Sequence, residues 1–353
     1  MTATMPVLER PAKEPKKQQR FNEGTGRLAA VLLSPTLLVL AVVVLFPIMS
    51  ALRESLFTSG QHLDANGFIV KGSTFVGLDN YTAIFKGDTG RRFWNAFYNT
   101  TFFTVVCIVL ETVLGVAMAL IMHKAFKGRG IVRASILVPW AIPTVISALL
   151  WKWIFQADGI ANTLIGTQIL WSTEGWQSKL SVVIADTWKT APFIGLLVLA
   201  GLQTIPAEVY EAAKVDGATA WKTFTRITLP LVKPALLVAV LFRILDTLRI
   251  FDLPFVLVGA HKDSVETLSM LAYDEAFNTR YGPAAAYATV LFIYVAVVAY
   301  LFVKILGADV IGEARAKKPG GGNGRRWRKK NAVKDKETTN ASVGAVAAGG
   351  GGM

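Results

Sequence analysis

The chain is poor in the residues and motifs that carry enzymatic chemistry. It has a single cysteine, Cys107, in 353 residues. That excludes an intrachain disulfide, and its place inside an apolar run points to packing. The three histidines, His62, His123 and His261, are too scattered to share a metal ion. No GxxxxGK[ST] loop occurs, so the chain does not cradle a nucleotide in that way. HExxH, GxSxG and CxxC are also missing. Charge is scarce as well: 17% of residues are charged, against about a quarter in soluble domains.

Apolar residues fill the space, at 53% of the chain with a mean hydropathy of +0.45. This is a membrane composition. The net charge of +13 comes without the interleaved aromatics of a nucleic-acid platform, so the basic residues read as membrane flanks and tails, with no nucleic-acid partner. A spanning helix needs about 20 mostly apolar residues. Six runs qualify, at 28–52, 94–122, 131–156, 179–203, 232–257 and 283–306, and predict an all-α integral membrane fold in contact with lipid. Several carry prolines (Pro47, Pro139, Pro143, Pro192, Pro254) whose freed backbone groups neighbouring helices can satisfy. No small-residue cleavage site follows Ala29–Phe46, so the first span is expected to be retained.

Twenty-five lysines and arginines fall on one side of these spans and eight on the other. The richer side holds the N-tail, the loop after the second span, the 206–233 region and the C-tail. The positive-inside rule makes it cytoplasmic, together with both termini. The expected organisation is a basic N-tail (1–27), a first span with an external loop (28–93), a five-span core (94–306) and a Gly-rich basic tail (307–353). The last is expected to be disordered. The 53–93, 157–178 and 258–282 loops face outward.

One polar stretch interrupts the apolar pattern: EVYEAAKVDGATAWKTFTRITLP, Glu208 to Pro230. Pro206 as the first helical residue, with Glu208 and Glu211 in the early turns, predicts a helix over 206–216. Gly217 breaks it, and a second short helix is expected over 218–227. The residues alone leave two readings, a docking element for another protein and an interfacial amphipathic helix. Glu211-Ala212-Ala213, then Gly217, Ile227 and Leu229-Pro230, resembles the EAA loop of ABC importer permeases at that family's spacing. The resemblance covers roughly 94–306. It implies a six-helix type I ABC importer transmembrane domain in a bacterial inner membrane. Its coupling helix would dock on a cytoplasmic ATPase through Glu208, Glu211, Ala212, Ala213, Asp216 and Gly217. It also implies a second homologous permease, an ATP-binding subunit dimer that holds ATP and Mg, and an external substrate-binding lipoprotein. No cofactor or catalytic residue is implied in this chain.

Four spans carry ionisable residues at depth: Glu111; Lys152; Asp186 with Lys189; and Arg243 with Asp246 and Arg249. Each costs about 2.5–3.5 kcal/mol at a helix centre on insertion scales. Asp186/Lys189 and Asp246/Arg249 are i,i+3 pairs that share a helix face. They read either as salt bridges holding spans together or as the lining of a polar pathway. Glu111 is expected to pair with Lys152 or another buried cation. Lys152, between Trp151 and Trp153, also reads as an interfacial anchor. DTWKTAPF (Asp186 to Phe193) and FRILDTLRIFD (Phe242 to Asp252) resemble segments of the maltose-type permeases, and more closely those of actinobacterial trehalose-importer permeases. That resemblance implies an α-linked glucose disaccharide as substrate. Its contacts would be Asp186, Lys189, Thr190 and Phe193 on one span, and Phe242, Leu245, Asp246 and Arg249 on the next. The alternative is an ion-coupled secondary transporter, with the same acids as proton or sodium sites.

Overall fold

The computed structural model describes residues 25–63 and 69–307. The tails expected to be basic or disordered lie outside the described residues, apart from a few positions at their inner edges. Among the described residues, five helices are long and apolar enough to cross a membrane: α1 (Leu28–Glu54), α3 (Gly87–His123), α7 (Trp176–Leu202), α9 (Ala220–Thr247) and α12 (Tyr281–Ile305). A pair of helices, α4 (Arg129–Ala141) and α5 (Thr144–Ile154), passes the same test together but bends by 97° between them, as a broken span or a re-entrant loop would. Shorter helices connect these elements: α2 (Asp79–Ile84), α6 (Ile160–Ile165), α8 (Ala207–Val215), α10 (Asp252–Leu257) and α11 (Leu268–Phe277).

The 97° bend corrects the continuous helix expected over 131–156, and its cause is local. Pro143 has no N–H to donate, and its ring pushes the residue before it out of the helical region. Ile142 is accordingly extended (φ −75°, ψ 133°), and Pro143 becomes the N-cap of α5.

The opposite correction applies to α9. In place of a short helix over 218–227 and a separate span ending at 257, one helix runs from Ala220 to Thr247. Pro230 does not break it because Phe224–Thr228 widens into a π-turn just before it, with the Leu229 N–H bonded to the Phe224 carbonyl. The wider turn absorbs the ring and the missing donor. A π-turn at Ala41–Leu45 precedes Pro47 in the same way. After Thr247 the chain turns into α10, so the predicted end of this span lay ten residues too far on.

The chain folds as two compact units. One comprises residues up to Phe85 together with Ala272–Thr289. It holds an antiparallel hairpin that the sequence pattern did not reveal, β1 (Phe57–Leu63) with β2 (Ile69–Phe75), in the register Phe57↔Phe75. Helix α2 follows. The buried Asn80 amide donates to the Ser55 and Phe57 carbonyls, both at 2.8 Å, pinning the hairpin's base.

The other unit, Lys86–Leu271 with the residues from Val290, contains α3 to α10. Helix α7 is its axis and the most buried of the long helices. Two apolar clusters form the core. The first joins Phe103 and Cys107 of α3 to Val182, Val183 and Ala185 of α7 and to Leu253 and Leu257 of α10. The second joins Ala119 and Met122 of α3 to Ile194, Val198 and Leu202 of α7 and to Val232 and Ala239 of α9. Cys107 packs in the first, as its apolar surroundings suggest.

Glycines bring the helices together below the site. A Cβ on Gly115 would stand 2.8 Å from the Ile194 side chain and 2.9 Å from the Ala191 carbonyl. One on Gly201 would stand 2.7 Å from the Ala235 Cβ. Such small residues allow close backbone approach, the main source of packing between helices in lipid. The chain after α9 is held by Thr267, whose hydroxyl donates to the Ile250 carbonyl at 2.9 Å. The 263–267 segment is fixed in turn to α3: Arg92 grips Glu266 at 2.5 and 2.8 Å, and Asn99 donates to the carbonyls of Asp263 and Glu266.

Candidate functional site

Between the two apolar clusters each helix contributes charge. On α3 it is Glu111, four residues after Cys107 and four before Gly115. On α7 it is Asp186, Lys189 and Thr190, between Ala185 and Ile194. On α9 it is Arg243 and Asp246, beyond Ala239. Arg243 is the hub. Its Nε donates to Glu111 Oε2 at 2.7 Å and its Nη2 to Glu111 Oε1 at 2.8 Å. The same Nη2 reaches Asp186 Oδ2 at 2.9 Å, and Nη1 reaches Asp246 Oδ2 at 2.5 Å. The Thr190 hydroxyl lies 2.5 Å from Glu111 Oε1 and 2.6 Å from the Asp186 carbonyl, with one hydrogen to serve both. Glu111, Asp186 and Arg243 are buried; Asp246 is 64% exposed at its side chain. A planar fork contacting three carboxylates fixes three helices in one geometry, which a lysine's point charge would not do.

A cavity of about 130 Å³ opens beside this layer, lined by Thr144, Asp186, Lys189, Thr190, Arg243 and Asp246, with Arg249 and Asp252 farther round. Five predicted contact residues therefore converge here: Asp186, Lys189, Thr190, Asp246 and Arg249. Three do not line it. Phe193 stacks on Trp140 with ring centroids 5.8 Å apart. Phe242 is 57% exposed on the outside of α9. Leu245 offers its carbonyl to Arg249 Nε at 3.0 Å.

The expected pairings are also redrawn. Asp186 is engaged by Arg243, and Lys189 has no carboxylate within ion-pair distance among the described residues. Asp246 meets Arg249 only at 4.0 Å, because Arg243 holds it more closely. Glu111 does pair with a buried cation, as expected, and that cation is Arg243; Lys152 instead reaches the Val256 carbonyl at 3.5 Å. The hub role of Arg243 and the lining roles of Thr144 and Asp252 escaped the sequence reading. The i,i+3 spacing of Arg243 and Asp246 was a visible signal for the first; Thr144 became legible only through the break at Pro143.

The arrangement sets donors and acceptors around one cavity. Lys189 and Arg249 offer donors, and Asp246 and Asp252 offer acceptors. Directional donors and acceptors around a small cavity suit a hydroxyl-rich solute.

The polar stretch forms α8, with Pro206 as its N-cap and not its first helical residue. Gly217 ends it at φ +70°. The Ala218 N–H bonds the Ala213 carbonyl at 2.9 Å and the Gly217 N–H bonds the Lys214 carbonyl at 3.1 Å, a Schellman-like closure. Glu208, Glu211, Ala212, Asp216 and Gly217 are exposed, while Ala213 is buried and packs inward. Val215 and Trp221, both apolar, stand outward on this surface.

Residues 111–312 match the family model for the binding-protein-dependent transport system inner membrane component. The chain belongs to this family. As a member it is a permease subunit of an ABC importer, a transport component and not an enzyme. It is 37% identical over 286 residues to the trehalose/maltose transport system permease protein MalF of Thermococcus litoralis, covering 79% of this chain and 94% of that one. It is 38% identical over 289 residues to the trehalose transport system permease protein SugA of Mycobacterium tuberculosis, covering 81% and 91%. In fold it resembles a chain of a bacterial ABC transporter involved in the import of the acidic polysaccharide alginate. The TM-score is 0.65 at 21% identity, over 80% of this chain and 96% of that one. The mostly helical permease architecture expected from the sequence holds, with five membrane-capable helices among the described residues, or six where the pair bent at Ile142–Pro143 makes one span.

Proposed function

We propose that this permease subunit imports an uncharged disaccharide of the α-glucoside class, trehalose or a maltose-like sugar, through the cavity beside Arg243. The observation that carries the reading is the composition of that wall. Asp186, Asp246 and Asp252, with Glu111 behind, stand against Lys189, Arg243 and Arg249. Four acids against three cations give an anionic sugar no net attraction, while each free polar atom can meet a hydroxyl. The names of the 37% and 38% identical relatives support the same sugars. Asp186, Lys189, Thr190, Asp246 and Arg249 are the contacts in this reading. Phe193, Phe242 and Leu245 act at most through packing or through a partner.

About 130 Å³ falls below the ~300–1,000 Å³ of complete small-molecule sites. This chain therefore supplies one wall, and a second homologous permease supplies the other. A dimer of ATP-binding subunits, which hold ATP and Mg, engages the exposed face of α8. An external substrate-binding lipoprotein delivers the sugar to the 53–93, 157–178 and 258–282 loops. The basic-residue asymmetry supports cytoplasmic termini, with residues 94–306 as the permease core behind the first span and its loop.

The test is reconstitution of the chain with its cognate permease, ATPase and binding protein in vesicles. Trehalose- or maltose-dependent ATP hydrolysis and uptake are expected, insensitive to an ionophore. Uptake that collapses with the ion gradient, or that proceeds without the ATPase, overturns the reading.

A further inference from the structure

A second cavity, of about 660 Å³, lies behind α8. Its floor is apolar: Leu120 at the end of α3, Leu202 at the end of α7 and Phe224 at the start of α9. Its polar rim is made of His123, Lys124 and Lys214, with the Tyr210 hydroxyl. No carboxylate lines it, although Glu208, Glu211 and Asp216 lie on or beside the same short helix. Neither Lys124 nor Lys214 has an acidic partner within ion-pair distance among the described residues, and both are exposed. Tyr210 and Lys214 are one turn apart and flank the buried Ala213, so they mark the bundle-facing side of α8. Glu208, Glu211 and Ala212 point away, leaving the outer face free for the ATPase.

We propose that this cavity binds the headgroup and first acyl carbons of an anionic phospholipid. Three features select that occupant. The cavity sits at the common end of three membrane-capable helices, where a headgroup lies. Its rim is cationic without counter-charge, and basic pockets between transmembrane helices hold anionic headgroups. Its apolar floor has a use for acyl carbons and none for a soluble phosphate. The lipid would span the gap between α8 and the ends of α3, α7 and α9, strapping the coupling helix to the helices it drives. The inference is independent of which solute the permease carries.

The test uses the full-length chain, purified in mild detergent from membranes containing both phosphatidylglycerol and phosphatidylcholine, with bound lipid read by native mass spectrometry. Selective retention of phosphatidylglycerol is expected. Lys124→Gln with Lys214→Gln is expected to weaken it about thirtyfold, roughly fivefold per lysine. Because these residues are exposed, the variant's melting temperature is expected to stay put; Lys127→Gln with Lys262→Gln, outside the cavity, is the control for bulk charge. Equal retention of both lipids, or equal loss in the control pair, overturns the site. Displacement of the bound phosphatidylglycerol by millimolar inorganic phosphate overturns the lipid assignment in favour of a phosphate site.

Discussion

Arg243 and Glu111 lie 132 positions apart in sequence and face each other through two hydrogen bonds of 2.7 and 2.8 Å, both side chains buried. Removing the guanidinium leaves two buried carboxylates, Glu111 and Asp186, without the cation they share, and breaking a buried pair in this way costs about 3–5 kcal/mol. Arg243→Ala is therefore expected to lower the folded yield and the unfolding temperature sharply. The triple variant Glu111→Gln, Asp186→Asn and Arg243→Gln, which removes all three buried charges and keeps hydrogen-bonding amides, is expected to recover much of the loss. Thermal unfolding of the detergent-purified chain distinguishes the two; equal losses would mean that charge pairing is not what holds this layer.

Gly115→Ala tests how closely α3 and α7 must approach. The added carbon meets the Ile194 side chain at 2.8 Å and the Ala191 carbonyl at 2.9 Å, and the backbone oxygen cannot swing aside. Overpacking of this kind costs about 1–3 kcal/mol. Gly26→Ala, with nothing within 4 Å, is the matched control, expected to leave the unfolding temperature nearly unchanged.

Asp246 and Arg249 are mostly exposed, and exposed substitutions usually stay within ~0.5 kcal/mol of wild-type stability. Asp246→Asn and Arg249→Gln should assemble normally. If they contact sugar, the half-saturating concentration for transport in reconstituted vesicles rises, by about tenfold for one lost hydrogen bond to a charged group. Normal transport with lowered stability would reverse the assignment.

Gly217 holds a left-handed conformation with open space around it. Alanine there costs about 1–2 kcal/mol for backbone reasons alone, and asparagine less, since its side chain tolerates this region. Gly217→Ala is expected to reduce uptake per ATP hydrolysed, with Gly217→Asn intermediate. Measuring both rates in the same vesicles checks it, and an unchanged ratio in both variants would remove this turn from the coupling pathway.

Much of the fold was legible because it rests on long apolar runs and local backbone rules. Pro206, the acidic first turns and Gly217 placed α8 to within a residue. The errors fell where two local rules competed. Pro143 and Pro230 are both helix breakers on paper. One bends its helix by 97°; the other is accommodated by a five-residue π-turn, and no periodicity tells them apart. The site was half legible for a similar reason. Spacing of three residues marks Asp186 with Lys189 and Asp246 with Arg249 as possible partners, but proximity along one helix loses to a better-placed guanidinium. That Arg243 would collect three carboxylates depends on Gly115 bringing α3 against α7, a tertiary fact. The hairpin over 57–75 carries polar and glycine residues with little alternation, so nothing in its pattern announced strands.

The core of the permease unit is in two pieces, with the Arg243 layer as the seam between them. Parting either apolar block loses packed surface, and nothing replaces it. Parting the seam breaks charged contacts that only another polar group or water can replace. Any movement of one block against the other at this level must first break the hydrogen bonds around a single guanidinium. The wall proposed to meet a solute is thus also the layer that ties the two apolar blocks together.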